Sequence, residues 1–226
     1  VILYVNGDSH SAGAEAVNSY CFAEDDPLYY SLGRIPHPDN ERASYGCNIA
    51  NELFAVLHCD AESASSNARI IRTTKKYLED IKPDAIVIGW STWERQEWLY
   101  NGIYWQVNAG GIGHDWPESV KERYQEYIAN LDWNASAADA HDQIFELHTE
   151  LSDLKIPHLF FNTYSNFSNQ ITKIWNESYI EPYDPGMTYW HYLTNLGFKS
   201  NPSYHFGADA HRKWAEFLMP HLTRLL

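Results

Sequence analysis

The chain has 226 residues, 44% of them hydrophobic, which suits one α/β domain with a single large core and leaves little room for a second. Its formal charge of −14 argues against a nucleic-acid partner, because phosphate binding relies on clustered Lys and Arg. No apolar run approaches the length of a membrane span and no basic leader precedes an apolar stretch, so neither a membrane partner nor secretion is expected.

Three cysteines (Cys21, Cys47, Cys59) cannot all pair and contain no CxxC spacing, so they read as reduced thiols of a reducing, cytoplasmic setting. Val1 to Val5 is apolar and β-rich and stops at the turn-forming Asn6-Gly7-Asp8-Ser9, which predicts a buried strand opening into a loop. Gly46 to Leu57 predicts a helix with Ile49, Leu53, Val56 and Leu57 on one face, and a short second strand follows around His58 to Ala61. Ser66 is placed to cap a helix whose apolar positions are Ile70, Ile71, Tyr77, Leu78 and Ile81, ended by Pro83. Ala85 to Ile88 then reads as a fully buried strand stopping at Gly89.

A helix over His141 to Leu154 and a strand over His158 to Phe161 come next. The last helix carries His211, Trp214, Ala215, Leu218, Met219 and Leu222 as one stripe. Strands alternating with helices imply a parallel sheet covered on both faces, a single α/β domain over residues 1–226. In such sheets the site lies beyond the C-terminal strand ends, where Ser9, Gly89 and Asn162 would meet. Residues 91–116 and 163–204 are long, aromatic and irregular, as functional loop insertions at that edge are.

The chemistry centres on Gly7-Asp8-Ser9. A serine in a glycine-bearing turn directly after a buried strand faces backbone N–H groups, which favour a nucleophilic oxygen and an oxyanion. His205-Phe206-Gly207 lies just before the final helix, where the chain returns to the sheet edge, and a neutral imidazole there would take the Ser9 proton. His211 competes, but its place on the apolar stripe marks it as a packed or capping histidine. His141 and His148 share a helix face without an acidic or thiol partner, so no metal is expected, and no cofactor. Ala109-Gly110-Gly111-Ile112-Gly113 follows no strand and reads as a loop rather than a phosphate cradle.

Together, Gly7-Asp8-Ser9 after the first strand and a histidine before the C-terminal helix resemble the opening and closing blocks of the SGNH/GDSL hydrolases. The resemblance implies a flavodoxin-like three-layer α/β/α sandwich with a mainly parallel sheet, and a serine esterase acting on lipid, thioester or acetylated carbohydrate substrates. It also implies an oxyanion hole built from the Ser9 N–H, the N–H of Ala64 (where the family has glycine), and the Ser91/Thr92 region, with Ser91 at the usual Asn position. Asn67 is the alternative side-chain donor, and Asp8 is expected to be structural, bonding the loop that presents Ser9.

The family's orienting acid, three residues before the histidine, is replaced by Pro202. That leaves a Ser-His dyad, a backbone carbonyl, or a carboxylate from elsewhere such as Asp184. Gly89 to Arg95 and His205 to Leu218 also look similar to SGNH-type proteins of tailed bacteriophages, which implies a virion-associated setting as the alternative to a cytoplasmic one. The expected substrate is a small-molecule or glycan ester. An O-acyltransferase, or an inactive relative that only binds carbohydrate, remains the alternative.

Overall fold

The computed structural model describes residues 1–19, 37–111 and 116–226; Cys21 and the Ile112 and Gly113 of the glycine-rich stretch lie outside the described residues. Four parallel strands form the central sheet in the order β2-β1-β3-β6, with β1 at Ile2–Gly7, β2 at Val56–Cys59, β3 at Ala85–Trp90 and β6 at His158–Asn162. Side chains alternate across a strand, so Leu3, Val5 and Val87 enter one core while Tyr4, Ile86 and Ile88 enter the other. The first core is covered by α2 (Tyr45–Glu52), α6 (Tyr189–Asn195) and α7 (Ala208–Leu225). The second is covered by α3 (Asn67–Asp80) and α5 (Trp133–Asp153). The result is the expected three-layer α/β/α sandwich, with α1 (Pro38–Ala43) preceding α2.

Local chemistry sets the boundaries. Ser66 caps α3 by accepting from the Arg69 N–H at 3.2 Å, and Asp132 caps α5 by accepting from the N–H groups of Asn134 and Ala135. That cap starts α5 at Trp133, ahead of the expected His141. The helix predicted to run on to Leu57 ends at Glu52. Phe54 turns out of it at φ +50°, and Val56 and Leu57 join β2 instead.

The stretch 91–116 is more regular than expected. β4 (Gln96–Tyr100) and β5 (Ile103–Val107) make an antiparallel hairpin. Its turn residues Asn101 and Gly102 both have positive φ, +50° and +78°, the geometry that matches strand twist in two-residue hairpins. Trp98 and Val107 bury a third, small core against Val120 of α4 (Glu118–Ala129). Residues 163–204 contain a 3₁₀ turn at Pro185–Met187 and α6. Within this stretch, backbone bonds from Phe160 N–H to the Ser178 carbonyl and from Ile180 N–H to the Phe160 carbonyl cover the outer edge of β6.

The strand order reverses between β1 and β3. Their C-terminal ends, at Gly7 and Gly89, therefore open onto the crevice where open parallel sheets place their sites.

Candidate active site

The loop after β1 positions the first functional group. Gly7 adopts φ +152°, and a side chain there would lie 2.0 Å from Ser11 Oγ and 2.7 Å from the Gly89 carbonyl oxygen, so only glycine permits the turn. Bonds from Ala12 N–H to the Asp8 carbonyl and from Ala14 N–H to the Ser9 carbonyl, each 2.9 Å, coil the following residues. Ser9 is thereby held in the wall of a cavity of about 260 Å³, which Thr92, Arg95, Tyr164, Tyr204 and His205 also line.

His205 reaches Ser9 from the far end of the chain: its Nε2 lies 2.8 Å from Ser9 Oγ. Two bonds fix its backbone, His205 N–H to Asn201 Oδ1 at 2.9 Å and Asn201 N–H to the His205 carbonyl at 2.8 Å. The preceding Tyr204 sits at φ +66°, a conformation uncommon for a bulky residue.

The other imidazole nitrogen, Nδ1, meets the carboxylate of Glu15. A carboxylate only accepts, so Nδ1 carries the proton and Nε2 is left as an acceptor for the Ser9 hydroxyl. Glu15 also accepts from Asn201 Nδ2 at 2.9 Å. Desolvation pushes its carboxyl upward, but hydrogen bonds from His205 and Asn201, the His205 charge and Ser203 outweigh it and hold Glu15 below the usual carboxylate range. Glu15 is brought to His205 because the carbonyl of its neighbour Ala16 accepts the N–H of Ala208, the first residue of α7, at 3.0 Å.

Of the alternatives the sequence left open, the arrangement matches a carboxylate from elsewhere, with Glu15 in the place suggested for Asp184. Pro202 stands at the position three residues before the histidine, and Asp184 caps the 3₁₀ turn instead, accepting from Gly186 N–H at 2.8 Å. Neither a bare dyad nor a backbone carbonyl describes the site, since Glu15 occupies the distal nitrogen.

The anticipated oxyanion donors divide into two groups. No acceptor among the described residues takes the N–H of Ser9 or of Ala64, so both remain open. Ala64 holds its loop at φ +63°, the left-handed region where glycine is at ease. The side chains are committed elsewhere. Asn67 exchanges two bonds with the backbone of Ser91, Nδ2 to the carbonyl at 3.2 Å and Oδ1 from the N–H at 2.9 Å. The Ser91 hydroxyl donates to Asp8 Oδ2 at 3.1 Å, and that of Thr92 donates to Glu94 at 2.9 Å.

Asp8 is buried and ties the loops after β1, β3 and β6: it accepts from His10 N–H at 3.0 Å, from Ser91, from Arg95 Nη1 at 3.3 Å and from Thr163 Oγ1 at 3.4 Å.

His10 and Arg95 were not singled out from the sequence. The His10 ring lies edge-on to His205 with centroids 5.3 Å apart. Burial pushes its pKa down to about 4, so it adds no second positive charge beside the base at neutral pH. His211 is packed between α2 and α6, its Nδ1 accepting from Tyr45 N–H at 3.3 Å and its Nε2 3.4 Å from the Tyr189 hydroxyl. His141 bonds Tyr183, and His148 bonds His158; no group of three metal-ligating side chains gathers among the described residues.

A larger groove of about 810 Å³, lined in part by Asn48, Arg212 and Met219, lies between α2 and α7 and contains neither Ser9 nor His205. No helix among the described residues is long and apolar enough to cross a membrane. Cys47 and Cys59 are unpaired.

No protein-family model and no curated protein matches the chain. Among solved structures it is similar to a carbohydrate esterase family 2 enzyme with a carbohydrate-binding domain from Corynascus thermopiles (Myceliophthora fergusii), at 13% identity and TM-score 0.47, over 99% of this chain and 65% of that one. It is similar also to the acetyl xylan esterase Est2A of the rumen bacterium Butyrivibrio proteoclasticus, at 13% identity and TM-score 0.45, over 98% and 63% of the two chains. The chain thus spans just under two thirds of the length of these two. A third similar structure, a putative lipolytic protein of the G-D-S-L family from Desulfitobacterium hafniense, is covered end to end at 10% identity and TM-score 0.39.

Proposed function

We propose that this chain is a serine ester hydrolase of the SGNH/GDSL type, working through an acyl-Ser9 intermediate on O-acylated, chiefly O-acetylated, carbohydrates. The observation that carries the reading is the continuous chain Ser9–His205–Glu15, a hydroxyl, an imidazole and a carboxylate bonded in series, with Ser9 and His205 lining a cavity. Ser9 Oγ attacks the ester carbonyl carbon as its proton passes to His205 Nε2. The carbonyl oxygen takes the negative charge, and collapse breaks the carbon–alcohol oxygen bond while His205 returns the proton to the departing alcohol. Water then repeats the sequence on the acyl-enzyme and releases the acid. Glu15 holds the imidazole in the acceptor tautomer and stabilises the imidazolium that forms, while the N–H groups of Ser9 and Ala64 supply oxyanion donors.

The substrate class rests on the rim. The cavity is small and open, which suits a short acyl group, and Tyr164 and Tyr204 stand 43% and 63% exposed beside it, presenting flat, amphipathic faces of the kind that pack on sugar rings. The orienting Glu15 speaks against a binding-only relative.

The test has two arms. A fluorophosphonate probe should label the wild type and not Ser9→Ala, and the wild type should turn over p-nitrophenyl acetate and acetylated xylo-oligosaccharides. Labelling that survives Ser9→Ala, or its absence from folded wild type, would sink the assignment.

A further inference from the structure

The oxyanion hole described above has two backbone donors, and every side chain expected to complete it is occupied. Asn67 is locked to the Ser91 backbone, Ser91 donates its only hydroxyl hydrogen to Asp8, and Thr92 donates its own to Glu94. One cationic side chain is gathered at the same place. The Nη1 of Arg95 bonds Ser91 Oγ at 2.9 Å, Asp8 Oδ2 at 3.3 Å and the Ser65 carbonyl at 3.5 Å, so the guanidinium sits where the loops after β1, β2 and β3 converge. Arg95 lines the cavity together with Ser9 and His205. Its Nη1 hydrogens are used, its Nε is buried without a partner, and its Nη2 hydrogens meet no acceptor among the described residues.

A guanidinium is a planar, permanently charged fork, and donors left unsatisfied in a partly enclosed site are costly unless a ligand atom takes them. The side chain is only 22% exposed, and Asp8 and Ser91 fix its orientation before any substrate arrives.

We propose that Arg95 is the third oxyanion donor of this site, its guanidinium taking the place of the amide side chain and binding the negatively charged oxygen that forms when Ser9 attacks the ester carbonyl. This deepens the esterase reading and rests on it. Charge appears on that oxygen only in the tetrahedral state, so Arg95 stabilises the transition state more than the bound ester, and its loss falls on kcat rather than on KM. In electron terms nothing else changes: the pair displaced from the carbonyl π bond rests on the oxygen beside Arg95 and returns to re-form the bond as the alcohol leaves.

The experiment is p-nitrophenyl acetate hydrolysis by wild type, Arg95→Lys, Arg95→Ala and Ser9→Ala, with melting curves for each. Arg95→Ala should lose about 10²–10³ in kcat with KM changed less than a few-fold, and Arg95→Lys should recover part of the loss. Low, non-denaturing guanidinium chloride should raise the activity of Arg95→Ala and leave Ser9→Ala inactive, a response that a purely structural loss would not give. Folded Arg95→Ala with wild-type kcat, or a deficit that appears in KM alone or resists both lysine and guanidinium, would overturn the assignment. In either case intact Ser9-dependent turnover by the wild type would leave the esterase reading standing, whereas a folded wild type without such turnover would remove both.

Discussion

Glu15 bonds the Nδ1 of His205 from the same loop that presents Ser9, six residues further along the chain. Nucleophile and acid are therefore carried by one short segment, and the base alone arrives from the distant C-terminal region. The loop and the base segment are joined by the bond from Ala208 N–H to the Ala16 carbonyl.

Removing the Glu15 charge should act on the rate. Glu15→Gln should lower kcat/KM by as much as about 10⁴, because the imidazole loses the partner that sets its tautomer. Melting curves for both proteins should coincide, since Glu15 is partly exposed at the loop surface. A folded Glu15→Gln with wild-type kcat/KM would show that Glu15 does not act through His205.

Ala64 offers a stability test. Left-handed backbone costs a residue with a Cβ about 1–2 kcal/mol, while replacing alanine by glycine costs about 0.4–1 kcal/mol through the unfolded chain. At φ +63° the first effect outweighs the second. Ala64→Gly should raise the melting temperature by up to about 2–4 °C and leave turnover close to wild type, since the N–H is retained. A lower melting temperature would mean that the Ala64 methyl packs usefully.

How much of this was legible in the sequence differs element by element, for physical reasons. Ala85 to Ile88 could be read as a buried strand because both its faces are apolar, and Ser66 as a cap because its hydroxyl satisfies a local N–H. Ser9 and His205 were legible because turn chemistry and proximity to the last helix mark them. The hairpin at 96–107 was also written locally, in Asn101-Gly102, but the surrounding tryptophans and tyrosines obscured its alternation. Glu15 left no such trace. Its role arises from a contact across nearly the whole chain, and no spacing rule connects it to His205. Arg95 was equally silent, because the bonds that gather it come from three separate loops.

The two C-terminal histidines should separate function from stability. His205→Ala should abolish turnover and acyl-enzyme formation with little change in melting temperature, as the side chain is at the cavity wall. His211 is buried at 1% exposure, and its loss strands the Tyr45 N–H and leaves a hole beside Tyr45 and Tyr189. His211→Ala should destabilise by about 2–4 kcal/mol while folded protein at low temperature still reacts with the fluorophosphonate. The reverse pattern would require reassigning the base.

Acid should unfold this protein earlier than carboxylate protonation alone would. Burial holds His10, His141 and His158 down to about 4 and His211 down to about 3, from an ordinary 6.5. At His158 the neighbouring His148 adds to the effect of burial. His158 Nδ1 donates to the Ile156 carbonyl at 2.8 Å, so its Nε2 accepts from His148 Nδ1 at 2.8 Å, and protonation would set two donors face to face. Below pH 6.5 the unfolded chain binds protons that the native chain refuses, so stability falls with decreasing pH down to about 4, where the native rings titrate in turn. Each such ring contributes a slope of up to about 1.4 kcal/mol per pH unit. Glu15, held below 4.5, stabilises above that value and loses its contribution only as pH falls through its lower folded value, so it does not enter the same window. Melting temperatures measured from pH 7.5 to 4.5 should therefore drop below about pH 6. His158→Leu should start lower at pH 7.5 but decline less steeply, having one fewer ring to protonate. A melting temperature constant between pH 7 and 5 would refute the linkage.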